Sequence, residues 1–457
     1  MDFFIDKAME NIVGKDKVKE GINALLDNKK VKIPQKQKMV FSKKHQARQF
    51  EEIQPLFYDK TGTFWLWCNN DTKWKRVDDV DVLNMIEHHT GQDIINSKNR
   101  NELLNALKQE GRKKNPKPIK PTWIQFKDKF YDILTGEIIN ASPKYFATNP
   151  IPHITHPEGF EETPTLDKIF EEWVGKNHVK TLYEIIAYCL LPNYPVHRIF
   201  CFYGAGLNGK SCFLELLRRF LGEENCCSTE LDTLMVSRFE VTRLYRKLVC
   251  QMGETNFNEM QKTSMLKKLS GGDLIGMEFK NKDHFESKNY AKILISTNNL
   301  PPTTDKTLGF YRRWLIIDFP NRFSEKKDIL QDIPKEEYQS LALKCIILLK
   351  DLLEKREFHN EGTIEDRIER YEAKSNFLEQ FLQEFTDDDP NGFITKSDFY
   401  KKFIAWSKEN RHRELSEHSV GSKMKKIGIE NGRKYFDWMY DGRGGQARCW
   451  LGIKWKE

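Results

Sequence analysis

Ile199-Phe200-Cys201-Phe202-Tyr203 reads as a buried strand, and it runs directly into Gly204-Ala205-Gly206-Leu207-Asn208-Gly209-Lys210-Ser211 and the helical pattern Cys212 to Phe220. These residues fit G-x-x-x-x-G-K-S between a strand and a helix, the context in which that motif cradles a triphosphate. Glycines let backbone N–H groups curl round the β-phosphate, and the helix N-terminus adds its positive dipole. Lys210 then reaches the β/γ oxygens, and the Ser211 hydroxyl ligates Mg²⁺. The candidate nucleotide contacts are therefore Gly204, Ala205, Gly206, Leu207, Asn208, Gly209, Lys210, Ser211 and Cys212, with ATP and Mg²⁺ as the expected ligands.

Downstream of the loop, apolar runs at Leu248 to Met252, Ala291 to Ser296 and Trp314 to Phe319 alternate with helical segments. That alternation predicts an α/β domain with a largely parallel sheet. The first run ends in Gly253-Glu254, a carboxylate placed where it would orient an attacking water and help hold Mg²⁺. Two adjacent acids are usual there. Gly253 takes the first position, so Glu254 does both jobs or Asp232 or Asp273 assists. The second run delivers Thr297-Asn298-Asn299-Leu300-Pro301, whose Asn298 suits sensing of a γ-phosphate. Gly309-Phe310-Tyr311-Arg312-Arg313-Trp314 offers paired guanidinium groups able to neutralise transition-state charge.

Upstream, Leu166, Ile169, Phe170 and Trp173, then Leu182, Ile185, Ile186, Cys189 and Leu190, fall at helical spacing and predict a helical collar over 161–195. Before it, Leu56-Phe57-Tyr58 and Thr63 to Cys68 flank Asp59-Lys60-Thr61-Gly62 as a hairpin would, and Trp123 to Phe126 pairs with Phe130 to Leu134. Residues 1–160 thus form a small α/β or β-rich module whose aromatics serve its core. Two basic, proline-bearing stretches, Lys29 to Lys36 and Arg112 to Pro121, read as linkers or exposed loops. After the core, 196–330, Pro334 to Lys355 predicts a long helix packing as a lid within 331–390. Asp387-Asp388-Asp389-Pro390-Asn391-Gly392 reads as a break. The tail, 391–457, then has helix, helix and terminal hairpin, the outline of a winged helix.

The chain's 457 residues suggest about three domains. Hydrophobic content of 39% and charged content of 31% describe a soluble globular protein. The nine cysteines are scattered without a C-x-x-C pair, which argues against a zinc ribbon or disulfide framework and for a reducing, intracellular, cytoplasmic setting. No apolar run approaches membrane-spanning length, and the N-terminus lacks a signal-peptide pattern. From Phe393 to Glu457 there are 15 Lys/Arg against 8 Asp/Glu, which makes the tail a candidate nucleic-acid surface.

From about Phe57 to Trp450 the chain resembles the superfamily 3 (AAA+) helicase region of the phage/plasmid-type primase-helicases. The resemblance lies in Gly206 to Ser211, the Leu269-to-Lys282 segment, Thr297 to Pro301 and Arg312-Arg313, in that order. Phe130 to Phe146 resembles the domain preceding the helicase. The resemblance implies an AAA+-like P-loop core and a ring, usually a hexamer, with ATP at subunit interfaces and single-stranded DNA through the centre. It assigns Lys210 and Ser211 to triphosphate and Mg²⁺, Glu254 to the catalytic acid strand, Asn298 to the sensor, and Arg312 or Arg313 to a finger acting on the neighbour's ATP. It also makes the Phe279-to-Phe285 turn a pore hairpin whose Lys280, Lys282 or His284 grips phosphate. Family members often carry a primase domain ahead of this region, and no spaced acidic triad precedes Phe57. A stand-alone helicase and a piece of a larger primase-helicase both fit.

The expected activity is ATP-dependent unwinding of forked DNA in replication of a virus, plasmid or other mobile element, with a primase or polymerase as a further partner. A nucleotide-gated initiator or scaffold that loads on DNA without processive unwinding is the alternative, favoured by the missing acid at Gly253. A metabolic P-loop kinase fits less well, given Asn298, Arg312-Arg313 and the basic tail.

Overall fold

The computed structural model describes residues 43–90, 96–154, 162–253, 260, 263–280, 282–324, 328–409, 414–436 and 445–456. Glu254, the Lys29-to-Lys36 stretch and residues 437–444 lie outside the described residues. The N-terminal module opens with α1 (Lys43–Ile53) and an antiparallel sheet of β1 (Leu56–Tyr58), β2 (Phe64–Cys68) and β3 (Lys73–Val77), followed by α2 (Asp79–Thr90) and α3 (Ser97–Gly111). Then come β4 (Lys117–Pro118), β5 (Trp123–Phe126), β6 (Lys129–Asp132), β7 (Ile138–Asn140) and β8 (Tyr145–Phe146). Both predicted hairpins form, as β1–β2 and β5–β6. Trp65, Trp67, Trp74 and Trp123 are all buried. The second basic stretch is more than a linker, because Lys117 and Pro118 pair in parallel with Tyr145 and Phe146.

The collar consists of α4 (Pro164–Val174) and α5 (Lys176–Cys189). Proline at the first position suits α4, since the missing N–H would be unbonded there anyway, and Gly175 at φ +73° ends it. The core follows as β9 (Ile199–Tyr203), α6 (Lys210–Leu221), β10 (Cys226–Ser228), α7 (Leu231–Val236), α8 (Arg238–Val241), β11 (Val249–Met252), α9 (Ser264–Leu269), the hairpin β12 (Leu274–Met277) and β13 (Phe285–Lys288), β14 (Lys292–Thr297), α10 (Leu308–Tyr311) and β15 (Trp314–Asp318). The result is a mixed α/β fold around a five-stranded sheet of order β10-β11-β14-β9-β15, parallel throughout. Its strands are largely apolar, with Gln251 the polar residue inside β11, because both faces are covered. Alternate residues serve opposite faces: Phe200, Phe202, Leu294, Leu315 and Ile317 join the core that holds α6 and the collar, while Ile199, Cys201, Ile293, Ile295, Trp314 and Ile316 join the other.

The predicted long helix is α11 (Lys335–Lys355). It packs along α5, and Leu341, Ala342, Cys345, Leu349 and Leu352 lie in the same core as the loop helix α6. Next come α12 (Ile364–Ser375), α13 (Phe377–Phe385), β16 (Thr386–Thr395), α14 (Lys396–Glu409), α15 (Glu417–Ile427), β17 (Glu430–Phe436) and β18 (Gly445–Trp455). The expected break at Asp387 to Gly392 is instead part of β16, an edge strand on β18 whose register shifts between Asp388 and Phe393. Pro390 sits at that irregularity, where a strand tolerates a missing donor. One apolar cluster joins Phe377, Phe381, Phe399, Phe403, Trp450 and Ile453, so the tail's core reaches back into α13. Among the described residues no helix is long and apolar enough to cross a membrane.

Lys292, at the start of β14, is fully buried, donates to the Leu191 carbonyl and lies under the rings of Tyr188 and Tyr194. Burial pushes its ammonium down from 10.5 to about 7. Between those values the unfolded chain holds a proton that the folded chain lacks, so stability rises with pH across that window. Lys292→Met is expected to raise the Tm at pH 7, with the gain shrinking by about 1.4 kcal/mol per pH unit towards pH 10. Calorimetry of both proteins across that range checks it, and a constant gap would contradict it.

Candidate nucleotide site and hairpin

The strands of a parallel sheet deliver their following loops to one edge, where α/β proteins bind ligands. Here the loops after β9, β14 and β15, with Gly253 after β11, share that edge. Leu207 at φ +63° and Gly209 at φ +91° bring left-handed backbone into the loop, which turns successive N–H groups into a concavity suited to an anion. The loop is also tightly enclosed. A Cβ at Gly204 would meet the Phe319 carbonyl oxygen at 2.5 Å, and one at Gly209 would meet the Trp173 indole at 2.6 Å. The Asn208 amide donates to that same Phe319 carbonyl at 3.0 Å.

Lys210 is buried at the loop's centre. Its ammonium donates to the carbonyls of Gly204 (2.5 Å) and Ala205 (3.2 Å) and to the amide oxygens of Asn208 (3.0 Å) and Asn298 (3.1 Å). The two neighbouring strands, β9 and β14, thus bring two of the predicted residues to one point. Ser211 is exposed at the start of α6, with Cys212 half-buried beside it. Glu254 belongs to the segment after β11 that is not described. Among the described residues a Cβ at Gly253 would meet nothing within 4 Å.

The paired arginines separate sharply. Arg313 is buried, and its guanidinium donates to Ser270 Oγ (3.1 Å) and to the carbonyls of Lys267 (3.3 Å) and Gly309. Burial, with Arg312 beside it, pulls its pKa below the ordinary arginine value. Arg312 is exposed, and no side-chain hydrogen bond or ion pair holds it among the described residues. Both precede β15, whose Trp314 pairs with Ile199 at the opening of β9. They therefore stand at the amino edge of the sheet, a five-residue strand or about 16 Å from the loop that follows β9. Asp273 lies beside Arg313 and so belongs to that far edge too.

The Phe279-to-Phe285 turn closes the antiparallel pair β12–β13. Lys280 and His284 are exposed there. Lys282 instead donates to the Gly62 carbonyl (2.8 Å) and Thr63 Oγ1 (3.3 Å) of the N-terminal module. Phe279 and Phe285 stack 5.1 Å apart, Tyr245 packs edge-on against both, and the Arg76 guanidinium lies 3.9 Å over the Phe279 ring.

Sequence reasoning missed Asp318 and its partners. Asp318 ends β15 in register with Tyr203, and Arg370 and Lys374 of α12 pair with it, each at 2.7 Å. Burial alone would raise its carboxyl, but the two cations hold it below the usual carboxylate range. Lys374 also lies 4.1 Å over the Tyr203 ring. An acid closing Trp314-Leu315-Ile316-Ile317 and two cations four apart on one helix were the available signals.

A family model described as a family of unknown function (DUF5906) matches residues 202–313. Among solved structures, the apo C-terminal region of NrS-1 is 13% identical, with 90% of this chain and 99% of that chain covered and a TM-score of 0.49. Two A-form apo structures of the same region are 12% and 14% identical, with TM-scores of 0.45 and 0.46. The first covers 89% of this chain and 97% of that chain, the second 90% and 100%.

Proposed function

We propose that the chain is an ATP- and Mg²⁺-dependent DNA helicase serving replication of a virus, plasmid or other mobile element, with an AAA+-like P-loop core and ATP hydrolysed between the subunits of a ring. The observation that carries this reading is the meeting of Lys210 and Asn298, 3.1 Å apart, at the carboxyl edge of adjacent parallel strands. An ammonium and an amide converging beside a left-handed loop suit a γ-phosphate and its attacking water. Lys210 binds the terminal phosphate oxygens, Asn298 orients the water, and Ser211 holds Mg²⁺, which when bound neutralises phosphate charge. Arg312 serves a neighbouring subunit's site, because its own lies across the length of the sheet. Lys280 and His284 face the DNA from the hairpin. The C-terminal succession of helix, strand, two helices and two strands supports a winged-helix DNA-binding unit.

Turnover of ATP by the intact chain should rise severalfold with single-stranded DNA. Lys210→Ala should lower the stimulated rate at least about a hundredfold, the scale of losing one transition-state donor. Steady-state phosphate release measures both. The alternative, a nucleotide-gated loader or scaffold, is favoured by Gly253, which occupies an acid's usual position. ATP binding with hydrolysis indifferent to DNA would decide for it.

A further inference from the structure

A groove on the N-terminal module is continuous with the hairpin. It is shallow, about 620 Å³, and is lined by Tyr58, Asn105, Lys108, Gln109, Arg112 and Lys113, without a carboxylate. One turn of chain, between β1 and β2, joins groove to hairpin. On one side of the turn, Arg112 donates to the carbonyls of Tyr58 (3.0 Å) and Asp59 (2.9 Å); on the other, Lys282 donates to Gly62 and Thr63. Asp59 N–H bonds to the Thr63 carbonyl across the turn at 3.0 Å, so the two anchorages are neighbours.

The cations outnumber their local counter-charges. Arg112 and Lys282 spend their donors on neutral oxygens, so neither charge is cancelled. Lys108 shares Asp79 at 3.2 Å while lying 5.8 Å over the Tyr58 and Phe64 rings, and Arg76 is exposed with its guanidinium against Phe279. Lys113 pairs with Glu110. The Asp59 carboxylate accepts from Thr61, the Thr63 N–H and the Trp65 indole, and its charge offsets part of the excess on Arg76 and Lys282, but Asp59, Asp79 and Glu110 remain fewer than the five cations. Burial, then Arg76 and Lys108, pull the Lys282 ammonium down against the opposing pull of Asp79 and Asp59. Like charges crowd where the module meets the hairpin, and a polyanion laid across them would relieve the repulsion.

We infer that Arg76, Lys108 and Arg112 form a second single-stranded-DNA contact, extending the track of Lys280 at the hairpin tip onto the N-terminal module. This rests on the reading of the chain as a DNA motor. The recognition is of phosphate and carries no base sequence, since every group named is a cation. Lys282 joins module to hairpin, so the two surfaces stay in line as the hairpin moves.

The test is anisotropy of a labelled oligothymidylate bound to the full chain over a range of salt concentrations. Arg76→Gln/Lys108→Gln should weaken binding and reduce the slope of log affinity against log salt by about 0.7 for each phosphate no longer neutralised. Arg76→Lys/Lys108→Arg, which keeps the charge, should restore both, and so separates a phosphate contact from a packing role. Wild-type affinity and slope in the Gln variant, with Lys280→Ala still weakening binding, would overturn the inference and leave the motor intact. Failure of the charge-keeping variant to restore binding would overturn it as well. Absence of any binding by the wild-type chain would remove both this contact and the helicase reading.

Discussion

Arg312→Ala is expected to lower DNA-stimulated ATP turnover by about 10³-fold or more with the Tm unchanged, because an arginine finger contributes about 10³–10⁵ in rate. The side chain is exposed and stands at the sheet's amino edge, away from Lys210. On the proposed reading its role is in trans, which a mixing experiment isolates. Lys210→Ala and Arg312→Ala subunits should each be inactive alone, but a ring that combines them would hold some interfaces with an intact lysine facing an intact arginine. Activity should reappear on mixing, and its failure to do so in mixed rings would contradict a shared site. Arg313→Ala should behave differently. Its guanidinium ties Ser270, Lys267 and Gly309 together inside the subunit, so its loss leaves buried acceptors unbonded and shows first as a lower Tm.

Glu361→Ala is expected to destabilise the chain by about 3–5 kcal/mol, the cost of stranding buried charge. Glu361 accepts from Arg198 Nε at 3.0 Å, Arg198 Nη2 at 2.6 Å and Arg367 Nη1 at 2.7 Å, and its side chain is 3% exposed. The cluster ties the residue before β9 to α12. Removing the carboxylate leaves the buried Arg367 and part-buried Arg198 guanidinium groups side by side with no anion between them. Urea denaturation followed by circular dichroism measures the loss. Adding Arg367→Met should recover part of it, since that change removes one stranded charge; a simple sum of the two single effects would argue against the charge account.

The glycine-bearing loop after β9, the central strands and both hairpins were legible because each is a local matter: apolar runs, breakers and glycines within a few residues of one another. Arg312 and Arg313 were not separable, since what buries the second is Ser270 and Lys267, some forty residues earlier in the chain. The same limit applies to Lys282, which reads as a surface lysine until the β1–β2 turn is folded beneath it. Asp387 to Gly392 carries every local mark of a break and is a strand because β18, at the far end of the chain, supplies its partner. Side chains whose contacts lie far off in the chain stayed hidden, whereas Lys210 and Asn298, each read from its own short motif, lie 3.1 Å apart.

Position 209 is closed to change twice over. The Trp173 indole fills the space a side chain would need, and a backbone φ of +91° disfavours any side chain even where space exists. Trimming the tryptophan removes only the first obstacle. For a lineage drifting through single substitutions there is no one-step detour around this glycine, because the collar's tryptophan is itself held in the core by Phe170, Phe213 and Phe319.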